Sequence, residues 1–453
     1  RIGSGGGAGS RFHGLIDEVR VYDRALPPDE VKVVATSTAI NDITRKPLDR
    51  RNPAETDKLR AYFLQKHAPK RVRQAHRRIL DLQKQIAALL ETVPTTMVMQ
   101  EREEPRETFM LLRGAYDQPG DKVSPGVPEV LGGGANGKIR NRLDLARWLV
   151  HPGNPLTPRV VVNRYWQRLF GQGLVRTVED FGSQGERPTH PALLDWLASE
   201  FVSSGWDLKA LQKTLVMSAT YRQSSRAAPE LLARDPENLL LARGSRQRLS
   251  AQAIRDQALF VGGLLVEKLG GPSVKPYQPA GLWEELAGDI AYNQSTGEDL
   301  YRRSLYTFWK RTIAPPSMMN FDAAAREMCT VRVSRTNTPL QALNLMNDVT
   351  FVEAARGLAQ RVLGEPESRS HSDRIARAFR LATARPPTAE EGKILLESLE
   401  AHLASYRSNR KAAGELLNTG ESPVPKGLDP REVAAYTAVA SLILNLDETI
   451  TKE

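Results

Sequence analysis

One cysteine, Cys329, among 453 residues excludes an internal disulfide framework and any cluster of thiolates around a metal. No window approaches the roughly 18 consecutive apolar residues of a membrane-spanning helix, and Arg1 opens no signal peptide. Cys-x-x-Cys-His, the attachment motif for haem c, does not occur. The seven histidines are scattered without metal-ligand spacing, and no acidic triplet reads as a calcium loop. Glycine runs around Gly5 and Gly132 precede no strand-to-helix phosphate cradle. The stretch around Ser218 lacks the Gly-x-Ser-x-Gly elbow of a hydrolase triad. The chain reads as the C-terminal piece of something longer.

What is there is ordinary in composition, with 40% hydrophobic and 26% charged residues and length enough for two or three domains. Residues 41–95 begin as a polar linker and continue into a long basic helix. In it Val72, Ala75, Ile79, Leu82, Ile86, Leu89 and Val93 alternate three and four apart as a heptad seam, the signature of a coiled coil. Lys66, Lys70, Arg71, Arg73, Arg77 and Arg78 crowd its first half and contribute to a net charge of +10. Such a surface could lie on an anionic polymer. No aromatic residue is interleaved for base stacking, however, and no nucleic-acid motif accompanies it, so the expectation is a solvated face without a specific nucleic-acid partner.

The stretch from Asn141 to Ser225 organises the rest. It reads as four amphipathic helices on short Pro- and Gly-rich turns, with three tryptophans at core-like positions. Thr157 followed by Pro158 starts one helix, which stops at Gly171 or Gly173. Thr189 caps a second that runs to Phe201, with Leu193, Leu194, Leu197 and Phe201 on one face, and Gly205 ends it. Asp207 caps the next. Farther on, Asp235, Thr338 and Asp429 each precede a proline in the same way, and Thr388 with Glu391 forms a capping box. Ile254, Ala258, Val261, Leu265 and Leu269 form a stripe ending at Gly270, and the last helix spans about Arg431 to Leu446. Strands are expected from MVMQE paired with ETFMLLRG, within 97–113, and at Leu305–Trp309. Residues 116–137 read as an extended loop and 409–430 as a mobile one.

Several long motifs carry a resemblance: PLTPRVVVNRYWQRLFGQGLV, FGSQGERPTHPALLDWLA, SGWDLKAL, SATYRQSS, RLSAQAIRD, RRSLYTFWKR, FDAAAREMCTVRVSRTNTPLQALNLMND and LILNLDETITKE. In this order they resemble the C-terminal domain of unknown function of planctomycete cytochrome-c-associated proteins, over roughly residues 95–453. Gln252 departs from the resemblance, which implies a carboxylate there. Ahead of it, RFHGLIDEVRVYDRALPPDEV resembles the closing strand of a laminin-G-like, concanavalin-type sandwich, with Val19 and Val21 alternating with Arg20 and Tyr22. The expected class is therefore mainly α: a multihelical domain with a small β-hairpin or sheet and an N-terminal β remnant of a sandwich domain. The expected domains are 1–40 for the remnant, 41–95 for the linker and basic helix, and 96–453 for the multihelical domain. The resemblance implies an extracytoplasmic location, at the cell surface or in a periplasm-like space. It also implies haem c only in upstream domains of the same protein, with no cofactor or metal in this segment.

Candidate chemistry rests on polar residues set among apolar ones. Arg159, Asn163 and Gln167 share one helical face. His190 stands at a helix N-terminus, where the dipole favours the neutral imidazole as base or donor, although a structural donor is the commoner role. Cys329 lies between Arg326 and Arg332, which could stabilise a thiolate, but no histidine is near in sequence and single cysteines are usually buried apolar groups. Asp322, Arg335 and Gln341 are expected to tie loops to the core. Arg159, Asn163, His190, Asp195, Arg255 and Asp256 are expected to converge into one polar cluster, because a buried charge needs a partner. On that basis Arg159→Ala would cost roughly 2–5 kcal/mol. Two functions follow. One is a non-catalytic scaffold or binding module that takes a glycan or a surface protein. The other is an enzyme acting on carbohydrate or another wall-associated substrate through a polar cleft in the helical domain.

Overall fold

Capping residues ahead of apolar-periodic runs start helices along most of this chain. The computed structural model describes residues 19–22, 26, 28–104, 106–131, 139–287, 291–332, 334–366, 370–424 and 427–452, and shows a mainly α fold with nineteen α-helices among them. The chain divides into two compact units, Arg1–Arg106 and Glu107–Glu453.

In the first unit, α1 (Pro28–Ala35), α2 (Ile40–Arg45), α3 (Pro53–Lys66) and α4 (Lys70–Thr92) follow one another. Asn52 and Glu55 close a capping box at the start of α3, and the buried Glu55 also receives Lys46 at 2.5 Å. No residue of α4 is buried, and Ile79, Ile86 and Leu89 on the heptad seam are 53%, 56% and 64% exposed. Of the expected sandwich remnant, only 19–22, 26 and the residues from 28 onward lie within the described part. Residues 19–22 are irregular rather than strand, and Val19 and Val21 both face solvent at 53% and 88%. A lone strand has nowhere to send its backbone hydrogen bonds, so alternation by itself does not make one.

The second unit opens with a hairpin of β1 (Thr108–Leu111) and β2 (Pro119–Val123), with Thr108 opposite Val123 and Phe109 opposite Lys122. The partner strand therefore comes from the expected extended loop and not from MVMQE, where Met97 to Met99 are irregular and exposed. A turn at Arg113 and Gly114, both at positive φ, lies in the loop between the two strands. Then come α5 (Arg142–Leu149), α6 (Thr157–Phe170), α7 (Pro191–Ser203), α8 (Leu208–Met217) and α9 (Pro229–Arg234). Val162, Trp166 and Phe170 of α6 pack with Leu194, Leu197 and Phe201 of α7 and Leu211 and Leu215 of α8 as one core. Trp166 stacks on Phe170 at 3.9 Å. Trp196 is 54% exposed, because the face of α7 that carries Leu194 and Leu197 turns it outward.

The remaining elements are β3 (Gln247–Arg248), α10 (Ala251–Val261), α11 (Leu282–Ala287), α12 (Pro316–Asn320), α13 (Pro339–Asn347), α14 (Val349–Gly364), α15 (His371–Thr383), α16 (Ala389–Ser408), α17 (Arg410–Leu417), α18 (Pro430–Leu444), α19 (Asp447–Ile450) and β4 (Thr451–Lys452). The larger core surrounds α14, buried from Thr350 through Ala359. Gly262 and Gly357 let α10 and α14 touch: a Cβ at Gly357 would lie 2.4 Å from the Gly262 carbonyl oxygen. β3 pairs antiparallel with β4, so the chain's last strand returns to the segment after α9.

Several expected boundaries shift for local reasons. Asn154, not Thr157, accepts the first amides of α6, from Leu156 at 3.0 Å and Thr157 at 3.2 Å. Thr189 does not cap α7, whose N-cap is His190 without a side-chain bond. Asp235 follows α9 instead of starting a helix, and its carboxylate accepts from Leu239 and Leu240 at 2.8 and 2.9 Å. α10 stops at Val261, where Gly262 and Gly263 turn the chain, so Leu265 and Leu269 leave the stripe. Leu305–Trp309 is a single 3-10 turn, Ser304–Tyr306, followed by the isolated bridge of Thr307 to Val274. The expected mobile loop at 409–430 holds α17, which buries Ala413 and Leu417 in the larger core.

Arg385 joins three of these elements. Its guanidinium donates to both oxygens of Glu391, at 2.8 and 2.9 Å, and to both of Glu448, at 2.6 and 2.8 Å. Arg385 holds the Glu391 carboxyl down at about 2, from an ordinary 4.5, with help from the Thr388 amide. A depressed carboxylate stabilises the fold above its unfolded value and loses that contribution as pH falls through its folded value. Thermal melts of the chain and of Glu391→Gln should therefore differ most above pH 4.5 and converge toward pH 2. Solvent screening keeps the gap to roughly 1 kcal/mol. A gap that widens on acidification would contradict this account.

Candidate functional site

Asn163 is fully buried on α6, and its amide bonds both ways to the Val175 backbone at 2.9 Å. This pins the turn after α6 against the helix. A Cβ at Gly173 would sit 2.4 Å from the Val175 carbonyl oxygen and 2.6 Å from Asn163 Nδ2, so the turn requires glycine there. Gly171, at φ +82, reverses the chain just before it. The Thr189 amide then donates to Leu174 at 2.8 Å, which brings the start of α7 alongside.

The other residues expected to converge with Asn163 go elsewhere. Arg159 meets Asp195 at 2.7 Å across α6 and α7, with side chains 34% and 56% exposed. A pair this wet contributes about 1 kcal/mol at most, not the larger figure that burial would imply. His190 Nδ1 lies 3.1 Å from the hydroxyl of Thr189. Arg255 is buried on α10 and donates to the carbonyls of Leu300 at 2.7 Å and Arg302 at 2.9 Å, while Asp256 accepts from the Ser304 amide at 2.7 Å. The expected single cluster is thus four separate sets of contacts: the buried Asn163 and Arg255, with Asp256, bond to backbone groups near them, whereas the more exposed Arg159 and His190 meet the side chains of Asp195 and Thr189. Cys329 is exposed in the irregular segment after Asp322, and Arg326 there stacks over Trp309 at 4.2 Å.

A pocket of about 550 Å³ opens where α6 ends. It is lined by Trp166, Phe170 and the turn through Leu174, by Pro236–Leu239, and by Arg246, Gln247, Arg248 and Arg335 among others. β3 is held to α6 through that helix's unpaired C-terminal carbonyls. Gln247 Nε2 donates to those of Arg168 and Leu169, both at 3.1 Å, and Lys452 Nζ from β4 reaches Leu169 at 2.8 Å. A cation at a helix C-terminus also complements the dipole.

Asp322 and Gln341 meet at Thr336, whose chain neighbour Arg335 lines this pocket. Asp322 accepts from the Thr336 amide at 2.7 Å and its hydroxyl at 2.8 Å, and Gln341 Nε2 donates to the Asn320 carbonyl at 2.7 Å and to Thr336 Oγ1 at 3.1 Å. These bonds hold the segment that carries Arg335 and Asn337. Arg335 Nη1 donates to Gln247 Oε1 at 2.5 Å, and Arg248 Nη1 to Asn337 Oδ1 at 2.8 Å. Burial pulls the Arg248 pKa down, against the fields of Asp447 and Asp322.

Sequence reasoning did not single out Arg248, Gln247, Asn238 or Lys452. Their trace was Arg248 opening the quoted motif RLSAQAIRD and Lys452 near the end of LILNLDETITKE, since no period marks a residue that works from a turn or a two-residue strand. A second cavity, of about 690 Å³, is lined by Gln252, Asp256, Glu267 and Arg303 among others. Gln252 thus stands beside two carboxylates where the resemblance implied a third. Among the described residues, no group of three or more His, Cys, Asp or Glu is placed to hold a metal ion, and no helix is long and apolar enough to cross a membrane.

Neither the curated proteins nor the solved structures give a match to this chain. A family model does match, over residues 141–399, which is more than half of the sequence and spans α5 through most of α16. The pocket wall on α6, the β3 arginine and the Asp322–Gln341 tie all fall inside that match. The chain belongs to the PSD1 family, proteins of unknown function (DUF1553).

Proposed function

We propose that this chain is a non-catalytic scaffold and binding module of a large extracytoplasmic bacterial protein associated with c-type cytochromes. In this reading, haem sits in other domains of the same protein and this segment carries no cofactor. A laminin-G-like sandwich takes a glycan or a surface protein. The location and the cytochrome partnership rest on the sequence resemblance. The observation that carries the module reading is where the buried polar side chains go: Asn163, Arg255, Gln341 and Arg356 all donate to backbone carbonyls. Groups committed in this way hold loops and are not free to move protons.

The second reading, an enzyme acting on carbohydrate or another wall-associated substrate, draws on the open cavity beside Asp256 and Glu267. Incubation of the chain with a panel of polysaccharides, followed by both co-sedimentation and reducing-end release, separates the two. Retention without release is the expected outcome. Release that is lost in Glu267→Gln would overturn the module reading in favour of the enzyme.

A further inference from the structure

The second half of α4 is bare. From Asp81 to Thr92 every residue is exposed, and no residue of the whole helix is buried. Helices in proteins are held mostly by packing an amphipathic face against something, yet the apolar face of this one is open to water. Val72, Ile79, Leu82, Ile86, Leu89 and Val93 on the seam are between 41% and 64% exposed, and Leu90 beside them is 62% exposed.

The composition of the seam says what covers it. In the heptad, the β-branched Val72, Ile79, Ile86 and Val93 fall at the a positions, and Ala75, Leu82 and Leu89 at d. In a parallel pair a meets a and d meets d, and β-branched residues at a with leucine at d favour two strands in that arrangement. The flanks admit self-pairing as well. Each g position faces the partner's e position five residues on, which sets Arg71 against His76 and Arg78 against Gln83. Neither contact opposes like charges while His76 is neutral. The other cations of the helix, Lys70, Arg73, Arg77 and Lys84, fall at b and f, on the outside of such a pair. The open half of a Val, Leu or Ile side chain is on the order of 70 Å², so seven of them on each copy supply roughly 1,000 Å² of apolar area, about the least that a specific interface needs.

We propose that α4 is an interaction surface for a second copy of this chain, and that two copies join through it as a parallel, in-register, two-stranded coiled coil. The pairing goes beyond the module reading and holds whatever the second unit binds or does.

Sedimentation equilibrium of the full chain over the micromolar range, at low and high salt, tests this. A monomer–dimer equilibrium is expected, and it should tighten at high salt, because screening weakens the repulsion between two basic helices and leaves the apolar seam intact. Ile86→Glu, at an exposed position, should weaken association by roughly thirtyfold or more with the main thermal transition held. Leu89→Glu serves in its place if that variant fails to fold. Leu89→Cys in a Cys329→Ser background should give an intermolecular disulfide under mild oxidation, since d faces d in the parallel pair. Antiparallel copies would hold the two positions about 20 Å apart, at about 1.5 Å per residue. A chain that stays monomeric throughout the range, a dimer unchanged by the glutamate variants, one that dissolves at high salt, or no cross-link would each overturn the proposal.

Discussion

Arg356→Met should lower unfolding stability by roughly 3–5 kcal/mol, because it strands a buried carboxylate. Arg356 and Glu353 sit one turn apart on α14, each with a side chain 1% exposed. Arg356 donates to the carbonyls of Leu417, Thr419 and Ser422 and to the Ser422 hydroxyl, and so ties α14 to the turn after α17. Glu353 Oε1 accepts from Tyr301 at 2.9 Å and from the Ser422 amide at 2.6 Å, besides Arg356 Nη2 at 3.3 Å. Burial pushes the neighbouring Tyr277 up to about 12 and Tyr301 higher still, so both phenols keep their protons as donors.

Removing the arginine leaves Glu353 charged in a site with no counter-ion and orphans three carbonyls. Adding Glu353→Gln to Arg356→Met should restore part of the loss, since the double variant no longer buries a lone charge. Urea unfolding of the two single variants and the double variant reads this directly. A loss under about 1 kcal/mol in Arg356→Met, the size expected of an exposed pair, would mean that the tie does not hold the core.

Arg255→Met should cost roughly 3 kcal/mol, through orphaned carbonyls and not through a lost ion pair. Its donors end on Leu300, Arg302 and Ser304, and the segment they hold carries Arg302, which is 2% exposed. Arg302 in turn donates to the carbonyls of Lys268, Gly270 and Pro272 and lies over the Tyr306 ring at 3.8 Å. One arginine on α10 therefore orders 300–304, and through it the loop at 268–272. Hydrogen exchange should accelerate in both segments while α14 and α18 stay protected. Acceleration spread evenly over the unit, or none at 268–272, would show that the two arginines do not act in series. Arg159→Ala, whose pair is largely exposed, is the natural control.

Several helix starts were legible from a local cap. Thr338, Thr388 and Asp429 accept from amides two or three residues ahead, as their position before a helical run implies. Asp235 had the same sequence pattern and does something else, because α9 already ends there and the buried carboxylate serves the turn beyond it. Asp322, Arg335 and Gln341 were expected to tie loops to the core; Asp322 and Gln341 meet through Thr336, which no sequence signal marked, while Arg335 bonds to Gln247. The pocket was not anticipated, because it joins α6, the turn after α9, β3 and Arg335.

By itself the sequence determined the class of fold, most helix positions and the core-facing residues, since periodicity and capping depend on neighbours within about one turn of helix. Only the tertiary structure decided which polar residue meets which. Asn163 faced a choice between solvent and a seam, and Gly173 resolved it by letting the Val175 backbone come within reach. Arg255 and Asp256 were expected to join Arg159, yet the nearest unpaired groups were the carbonyls and amide of residues 300–304. The physical reason is range. Helical order is set by contacts a few residues apart, whereas a buried charge is satisfied by whatever the folded chain brings to within 3 Å or so, and sequence spacing carries no record of that.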